Sequence, residues 1–409
     1  MIQAWRICIM INVAVLGYGT VGSGVVDLIS INHDKIAKSA GDEVYVKYIL
    51  DVREFKDSPY ENRFVKDFAT IEADPEVHVV VETIGGVGVA QEFTRRALAA
   101  GKSVVTSNKE LVSEFGCELV KIAAENGVCY LFEASVGGGV PVLHPLVNCL
   151  AGDEIEEVYG IVNGTTNYIL TSMIKNGVSF ETALREAQEK GYAEKDPTAD
   201  INGVDTCRKT CILADLAFGK NICPQFVPTE GIAGVSDVDI ALAANINAKI
   251  KLVGRTAHRP EGTVASYVAP HVLMSDNLLS GVEGVFNGIV VRGNATGETM
   301  FYGKGAGKLP TATAVISDVV DTAKVISSGR FLSWDMAGEE AVADPNELEN
   351  RWYIRAELDA DEASVRFGDI TVLGCAEGGC AFITGVMSGF RCAELLEDVN
   401  ASAVYRVLE

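Results

Sequence analysis

Residues 191–209 (GYAEKDPTADINGVDTCRK) set four acids and three bases in one short polar passage, with apolar sequence on both sides. Gly191, Pro197 and the Asn202-Gly203 pair mark its first half as loop. Asp205 and Lys209 stand four residues apart, so on a helix they share a face. Ile212, Leu213, Leu216 and Ala217 carry that helix into a core. An Asp–Lys pair at this spacing contributes little on a surface. At the start of a buried helix, beside Glu194 and Asp200, such charges must pair with each other or with a ligand. The pattern fits a polar active site and a structural ion network equally.

A second set of residues suits a dinucleotide. Residues 11–16 (INVAVL) form a short apolar run fit for a buried parallel strand, and Gly17-Tyr18-Gly19-Thr20-Val21-Gly22 follows at once. The apolar spacing of Val21, Val25, Val26, Leu28 and Ile29 then predicts a helix. GxGxxG is informative between a strand and a helix, which is its setting here. Gly17 permits the tight turn, Gly19 lets a pyrophosphate approach the backbone, and Gly22 lets helix and strand pack closely. The helix N-terminus offers its N–H groups to the phosphates. Residues 44–50 predict the second strand, closed by Asp51. An acid there suits a ribose 2′-hydroxyl and hence NAD, whereas Arg53 suits a 2′-phosphate and hence NADP. Asp51 is equally a strand-end turn residue, and its distance from the glycines exceeds the usual ~20 residues. The cofactor is therefore NAD or NADP.

The elements that position these residues follow in order. Strands at 78–82 and 103–106 flank a helix at 93–100; a helix at 118–126 and a strand at 128–132 come next. This βαβ rhythm predicts a Rossmann-type doubly wound parallel sheet. Such sheets hold ligands at strand carboxyl ends, where Thr83 and Ser107-Asn108-Lys109 fall. Lys109 is a site candidate there, or a surface lysine. In Glu133-Ala134-Ser135-Val136-Gly137-Gly138-Gly139-Val140-Pro141, the successive glycines leave carbonyl groups open. With Glu133 they could ligate a hard monovalent cation, or they form an interdomain hinge. From about residue 143 the character changes. A strand at 155–162 leads into Asn163-Gly164-Thr165-Thr166-Asn167, whose amides and hydroxyls suit a polar ligand or a helix N-cap. Helices at 168–174, 180–190 and 237–245 and strands at 249–253, 265–269 and 289–292 give a second, α+β region. A Gly-rich loop at 301–311 includes Gly305, and Pro310 opens a helix running to about 326.

Length and charge bound the function. The 409 residues suit two or three domains. A net charge of −22 argues against nucleic acid or an anionic membrane as partner. No apolar run reaches the ~18 residues of a membrane span. The N-terminal stretch lacks a signal-peptide cleavage pattern, and translation starts at Met1 or at Met10. The 10 cysteines show neither CxxC nor Cys/His metal spacing, and ten free thiols fit a reducing cytoplasm.

Six motifs in one order resemble the homoserine dehydrogenase family over residues 11–329: GYGTVG at 17–22, TSNK at 106–109, EASVGGGVP at 133–141, NGTTNYIL at 163–170, the 191–209 stretch and GAGKLPTATAV at 305–315. The resemblance implies reversible NAD(P)-dependent interconversion of L-homoserine and L-aspartate 4-semialdehyde in threonine, methionine and isoleucine biosynthesis. It implies Lys209 as proton donor and acceptor and Lys109 as a catalytic lysine on the cofactor side. The substrate contacts it implies are Glu194, Asp200, Asp205, Gly164, Thr165 and Tyr192. Those to the cofactor are Gly17, Tyr18, Gly19, Thr20, Val21, Gly22, Asp51, Arg53, Thr83, Ser107, Lys109 and Gly305. A sodium site at Glu133, Val136, Gly138 and Val140 and a homodimer also follow from it.

The chemistry agrees. An alcohol gives up hydride readily only while it loses its proton, so a group in reach must take that proton. A charged lysine is the right acid to protonate the alkoxide formed in the reverse direction. The five histidines are scattered and read as structural. The expected domains are 1–142 for the dinucleotide, 143–330 for catalysis and dimerisation with a helix returning toward the nucleotide domain, and 331–409. The last resembles a shortened ACT regulatory module whose first helix lacks room between Leu358 and Val365. Since every motif lies upstream, residues after about 345 are expected to be dispensable for activity. Two alternatives remain: a related semialdehyde dehydrogenase, which needs a Cys nucleophile with a His base, and a non-catalytic dinucleotide sensor, which needs no charged 191–209 stretch.

Overall fold

The computed structural model describes residues 10–328, 331–376 and 379–409. The segment separating the two alternative starts lies outside them, as does Arg330 at the expected tail boundary. The chain divides into two compact units, one formed by residues up to Cys149 with Lys304–Met336 and the other by Leu150–Gly303 with Ala337–Glu409.

The first unit runs β1 (Ile11–Leu16), α1 (Thr20–Ile31), α2 (His33–Ala40), β2 (Val44–Leu50), β3 (Phe64–Val65), α3 (Phe68–Ala73), β4 (Val79–Glu82), α4 (Gly88–Ala99), β5 (Ser103–Thr106), α5 (Lys109–Glu125) and β6 (Tyr130–Leu131). Its six strands are parallel in the order β3-β2-β1-β4-β5-β6. The order reverses between β1 and β4, which opens a crevice at their carboxyl ends. Strands covered on both faces read as continuous apolar runs, and Val13, Val15, Val79, Val81 and Val105 are buried accordingly. Helix α5 begins at Lys109, about two and a half turns before the sequence pattern suggests, because the Asn108 side chain caps it by accepting the Leu111 N–H.

The long helix with Pro310 in its first turn also belongs to this unit. It packs on α1, where a Cβ on Gly24 would stand 2.8 Å from the Lys308 carbonyl oxygen. Asp27 and Lys308 pair at 2.7 Å beside that crossing. The glycines of 137–139 serve close approach. Gly138 has φ 56°, and a Cβ on it would lie 2.3 Å from the Gly305 oxygen. The Gly139 N–H donates to the Lys304 carbonyl at 3.1 Å.

The second unit contains β7 (Ile155–Ile161), α6 (Gly164–Asn176), α7 (Phe180–Glu189), α8 (Thr198–Ile201), α9 (Val204–Phe218), α10 (Asp237–Ala244), β8 (Lys249–His258), β9 (Val264–Leu273), β10 (Phe286–Gly293) and β11 (Gly297–Lys304). After α11 (Lys308–Ser328) of the first unit come β12 (Val342–Ala343), β13 (Glu349–Ala356), α12 (Ala360–Phe367), β14 (Ile370–Ala376), β15 (Gly379–Thr384), β16 (Met387–Ser388), α13 (Gly389–Leu395) and β17 (Ala401–Leu408). Its mixed 11-stranded sheet runs β11-β10-β7-β8-β9-β17-β13-β15-β14, with β12 beside β9 and β16 beside β13.

The tail differs from the expectation in three ways. Its first helix is present: Asp359 and Glu362 form a reciprocal capping box that starts α12, which lets eight residues suffice. Its sheet is continuous with the rest, because β17 pairs in parallel with β9, Arg406 opposite His271 and Leu408 opposite Leu273. Tyr353, Ala381, Ile383, Tyr405 and Val407 therefore share one core with Cys207, Cys211 and Ala214 of α9. That shared core speaks against a dispensable tail. Third, the ten thiols are not all free: Cys375 and Cys380, opposite each other on β14 and β15, form a disulfide. Among the described residues no helix is long and apolar enough to cross a membrane.

Candidate active site

In the first unit the β1–α1 turn is shaped by its glycines in different ways. Gly17 has φ 90°, and a Cβ there would lie 2.8 Å from the Thr83 carbonyl oxygen. A Cβ on Gly22 would fall 1.9 Å from the Gly17 oxygen, so strand, turn and helix could not close up. Gly19, the N-cap of α1, is different: a Cβ there meets nothing within 4 Å. Protein packing does not demand glycine at that position. Thr83 fastens the turn by donating to the carbonyls of Leu16 and Gly17, both at 2.9 Å. Thr20 is exposed, and Tyr18, Val21 and Ser107 are half-buried.

The end of β2 is tightly bonded. The Asp51 carboxylate accepts from the Tyr18 N–H at 2.7 Å, and from Arg53 through its N–H at 2.8 Å, Nε at 3.0 Å and Nη2 at 2.9 Å. The Arg53 hydrogen bonds hold this carboxyl well below the usual carboxylate range, against the opposing effect of burial. Lys66, which the sequence reading missed, donates Nζ to the carbonyls of Asp51, Val52 and Arg53.

Glu82 organises the neighbouring strand ends. It is fully buried, and burial raises its carboxyl. Its oxygens accept from Ile84 N–H at 2.7 Å, Gly85 N–H at 3.3 Å and Thr106 Oγ1 at 2.6 Å. Asn108 donates Nδ2 to the Gly86 carbonyl at 2.6 Å while its oxygen caps α5, so Lys109 starts a helix tied to the β4 loop. Lys109 and Gly305 are both half-buried.

At 133–144 the Glu133 carboxylate accepts three backbone N–H groups, from Val142 at 2.6 Å, Leu143 at 3.0 Å and His144 at 2.6 Å. Its side chain is a cap for this turn, and both oxygens are supplied with donors. This does not fit a carboxylate free to ligate a cation.

In the second unit the charged stretch folds as α8 and α9. Gly203, at φ 80°, makes the turn between them. Lys209 Nζ donates to Asp205 Oδ2 at 2.7 Å and to the Val162 carbonyl at 2.8 Å. Both side chains are nearly buried, 12% and 10% exposed, so this is not a surface pair. Asn163 Nδ2 donates to Asp200 Oδ1 at 2.7 Å and Asp205 Oδ2 at 2.8 Å. Thr165 Oγ1 donates to the Tyr192 carbonyl at 2.7 Å, which fixes the start of the charged loop to α6. Tyr192 is 45% exposed and packs on Tyr168 with centroids 5.0 Å apart. A Cβ on Gly164 would stand 3.0 Å from the Val285 carbonyl oxygen.

Asp200, Asp205 and Lys209 thus form one network, with Asn163 as its hub. Glu194 departs from the expectation of a buried charge: it is exposed, midway along the loop between α7 and α8, and its carbonyl accepts from Gln188 Nε2 at 3.1 Å. A short polar loop leaving a helix cannot bury every charge it carries. Asn163 reads from sequence as a helix cap, which it is, accepting the Thr166 N–H at 2.8 Å. Its link to two carboxylates has no local signal.

The chain matches two family models, "Homoserine dehydrogenase, NAD binding domain" over residues 17–133 and "Homoserine dehydrogenase" over 141–320. It is 43% identical over 323 residues to a homoserine dehydrogenase of Bacillus subtilis, covering 78% of this chain and 74% of that one. A homoserine dehydrogenase of Corynebacterium glutamicum is 38% identical over 357 residues, covering 85% and 80%. Among solved structures, a homoserine dehydrogenase from Thiobacillus denitrificans superposes with TM-score 0.87 at 31% identity, over 98% of both chains. A hyperthermophilic archaeal homoserine dehydrogenase in complex with NADPH gives TM-score 0.64 at 28% identity, over 77% of this chain and 98% of that one.

Proposed function

Because the chain belongs to the homoserine dehydrogenase family, NAD(P)-dependent oxidoreductases acting on a CH–OH group, we propose that Lys209 carries the alcohol proton as L-homoserine and L-aspartate 4-semialdehyde interconvert. The observation that carries this reading is the Lys209 ammonium, nearly buried and gripped by Asp205 and the Val162 carbonyl. In the oxidative direction the hydroxyl proton passes to the Lys209 amine as the C–H hydride leaves; in reverse the ammonium protonates the alkoxide. NAD(P), when bound, accepts or supplies that hydride. Asp205 orients the ammonium and Asp200 extends the negative field. Glu194, on its exposed loop, meets the substrate's ammonium group, with Gly164, Thr165 and Tyr192 lining the approach.

Gly17–Gly22 would hold the dinucleotide, Gly19 leaving room for the pyrophosphate and the α1 N–H groups offering it hydrogen bonds. Thr83, Ser107, Gly305 and Lys109 complete that side. The β2 end supports NADP over NAD. The Asp51 oxygens already take four donors, which leaves little for a ribose hydroxyl. The Arg53 guanidinium beside them suits a 2′-phosphate, and the Lys66 ammonium, its three N–H groups held by the Asp51, Val52 and Arg53 carbonyls, adds positive charge there. A sodium ion at 133–140 would rest on main-chain carbonyls of Glu133, Val136, Gly138 and Val140, since the Glu133 carboxylate is engaged. The homodimer and the role in threonine, methionine and isoleucine biosynthesis rest on family resemblance.

The deciding experiment is the initial rate of dinucleotide reduction on adding L-homoserine, with NADP and NAD in turn. Reduction by homoserine, faster with NADP, is expected. An Arg53→Ala variant should lower the NADP/NAD ratio of kcat/KM by about tenfold or more, the loss of one charge-assisted contact of ~1.5–3 kcal/mol. An unchanged ratio would remove Arg53 from cofactor choice.

A further inference from the structure

We propose that Asn163 is a positioning residue for proton transfer, its amide clamping Asp200 and Asp205 so that the oxygens gripping Lys209 stay fixed. The inference rests on the reading of Lys209 as proton carrier.

Asn163 is buried, and all of its hydrogen-bonding capacity is committed. Its oxygen accepts the Thr166 N–H at 2.8 Å and the Thr166 hydroxyl at 3.0 Å, which fixes the amide plane on the first turn of α6. The two N–H groups then point at two carboxylates from different helices, Asp200 on α8 at 2.7 Å and Asp205 on α9 at 2.8 Å. Two carboxylates this close repel unless a donor stands between them. Asp205 Oδ2 is shared, accepting from Asn163 and from Lys209 at once.

The preceding residue holds the other side. The Val162 carbonyl accepts from Lys209 Nζ at 2.8 Å and from Asn287 Nδ2 at 2.9 Å. Asn287 is itself fully buried on β10. Both oxygens that hold the ammonium are thus set by one junction, the step from β7 into α6. An ammonium has three N–H donors. With two directed by this junction, one direction serves exchange with the substrate hydroxyl. Proton transfer is steep in distance, and a shift of about 1 Å costs on the order of 10²-fold.

The test is Asn163→Ser. Serine keeps an oxygen for the Thr166 N–H, so the cap survives, but it has no amide to bridge the carboxylates. The expected result is a kcat lower by roughly 10- to 100-fold with homoserine KM changed less than about threefold, since positioning acts on the transition state. Asn163→Asp, equal in shape, replaces a donor by an acceptor and should lose at least as much; it keeps the test open if the serine variant misfolds. Adding Asn163→Ser to Lys209→Ala should lower the residual rate by less than about twofold, because the residue acts through Lys209. Wild-type kcat in folded Asn163→Ser and Asn163→Asp would overturn the proposal, and so would full additivity with Lys209→Ala. If Lys209→Ala alone kept more than about a tenth of kcat, the Lys209 reading would fail instead, an outcome visible before any cycle is built.

Discussion

The β1–α1 turn and the α8–α9 network are both polar sites in an apolar setting, yet they are built from different material. The turn is made of backbone. Its N–H groups are the ones proposed to face the phosphates, and its side chains matter by being absent, as at Gly17 and Gly22. The network is made of side chains, with Lys209, Asp205, Asp200 and Asn163 each bonded to a specific neighbour. A backbone site is encoded by a few adjacent residues. A side-chain site is only as good as the distant elements that bring its members together.

The largest effect should come from cutting the support of the second site. Ending the chain near residue 345 removes β13 and β17, and with them Tyr353, Ala381, Ile383, Tyr405 and Val407 from the core that backs α9. Each large buried side chain contributes about 1.5–3 kcal/mol, so the sum rivals the whole ~5–15 kcal/mol stability of a domain. The truncated chain should be unfolded or aggregated by circular dichroism and size-exclusion chromatography. A folded, active product would mean that the continuous sheet is not needed.

Next in size is Lys209→Ala. General acid–base catalysis is worth ~10²–10⁴-fold, and kcat should fall by at least the lower figure while NADPH binding, followed by fluorescence, stays near wild type. Glu194→Gln, on the exposed loop, should instead raise KM for homoserine at nearly constant kcat. Lys109→Ala should fall between the two.

Two glycine variants sharpen the contrast within the backbone site. Gly22→Ala must push a Cβ against the Gly17 oxygen and should lower the melting temperature. A Cβ at Gly19 meets no protein atom within 4 Å, so Gly19→Val should leave the melting temperature nearly unchanged and abolish dinucleotide binding. Isothermal titration with NADPH and thermal scans of both proteins separate the effects; binding retained by folded Gly19→Val would end the pyrophosphate role.

The smallest effect concerns pH at the joint between β9 and β17. Burial, with Arg406 and Arg255 nearby, lowers His271 to about 3. Its ring nitrogens contact the Tyr267 hydroxyl and the Ala269 carbonyl. An unfolded histidine titrates at about 6.5. The folded value is lower, so the unfolded chain binds the extra proton between the two values. This contribution to stability is intact above about pH 6.5 and is lost as pH falls toward 3. Melting temperature should therefore fall less steeply between about pH 6.5 and 4 in His271→Gln than in wild type. Parallel curves would show that His271 does not titrate on unfolding.

Much of the first site was legible in the sequence because its signals are local. GxGxxG lies between its strand and its helix, whereas the Asn108 cap that starts α5 at Lys109, equally local, went unread and left that helix expected only from 118. Asp205 and Lys209 were legible too, since a helix puts residues four apart on one face. Asn163 was visible only as a cap. Its other partners lie 37 and 42 residues away, and no spacing rule reaches that far. Lys66 lies 15 residues from the Asp51 carbonyl it holds, across a loop with no periodicity to read.

By itself, then, the sequence determined the parallel sheet, the dinucleotide turn and the ion pair that opens α9, because each depends on neighbours along the chain. The tertiary structure decided which charges are buried, leaving Glu194 exposed while Asp205 and Lys209 are nearly enclosed. It also decided that the tail is part of the second unit's sheet, since β9 and β17 find each other by strand pairing between segments more than a hundred residues apart. Burial and strand register arise when distant segments exclude water together, and that is a property of the folded chain.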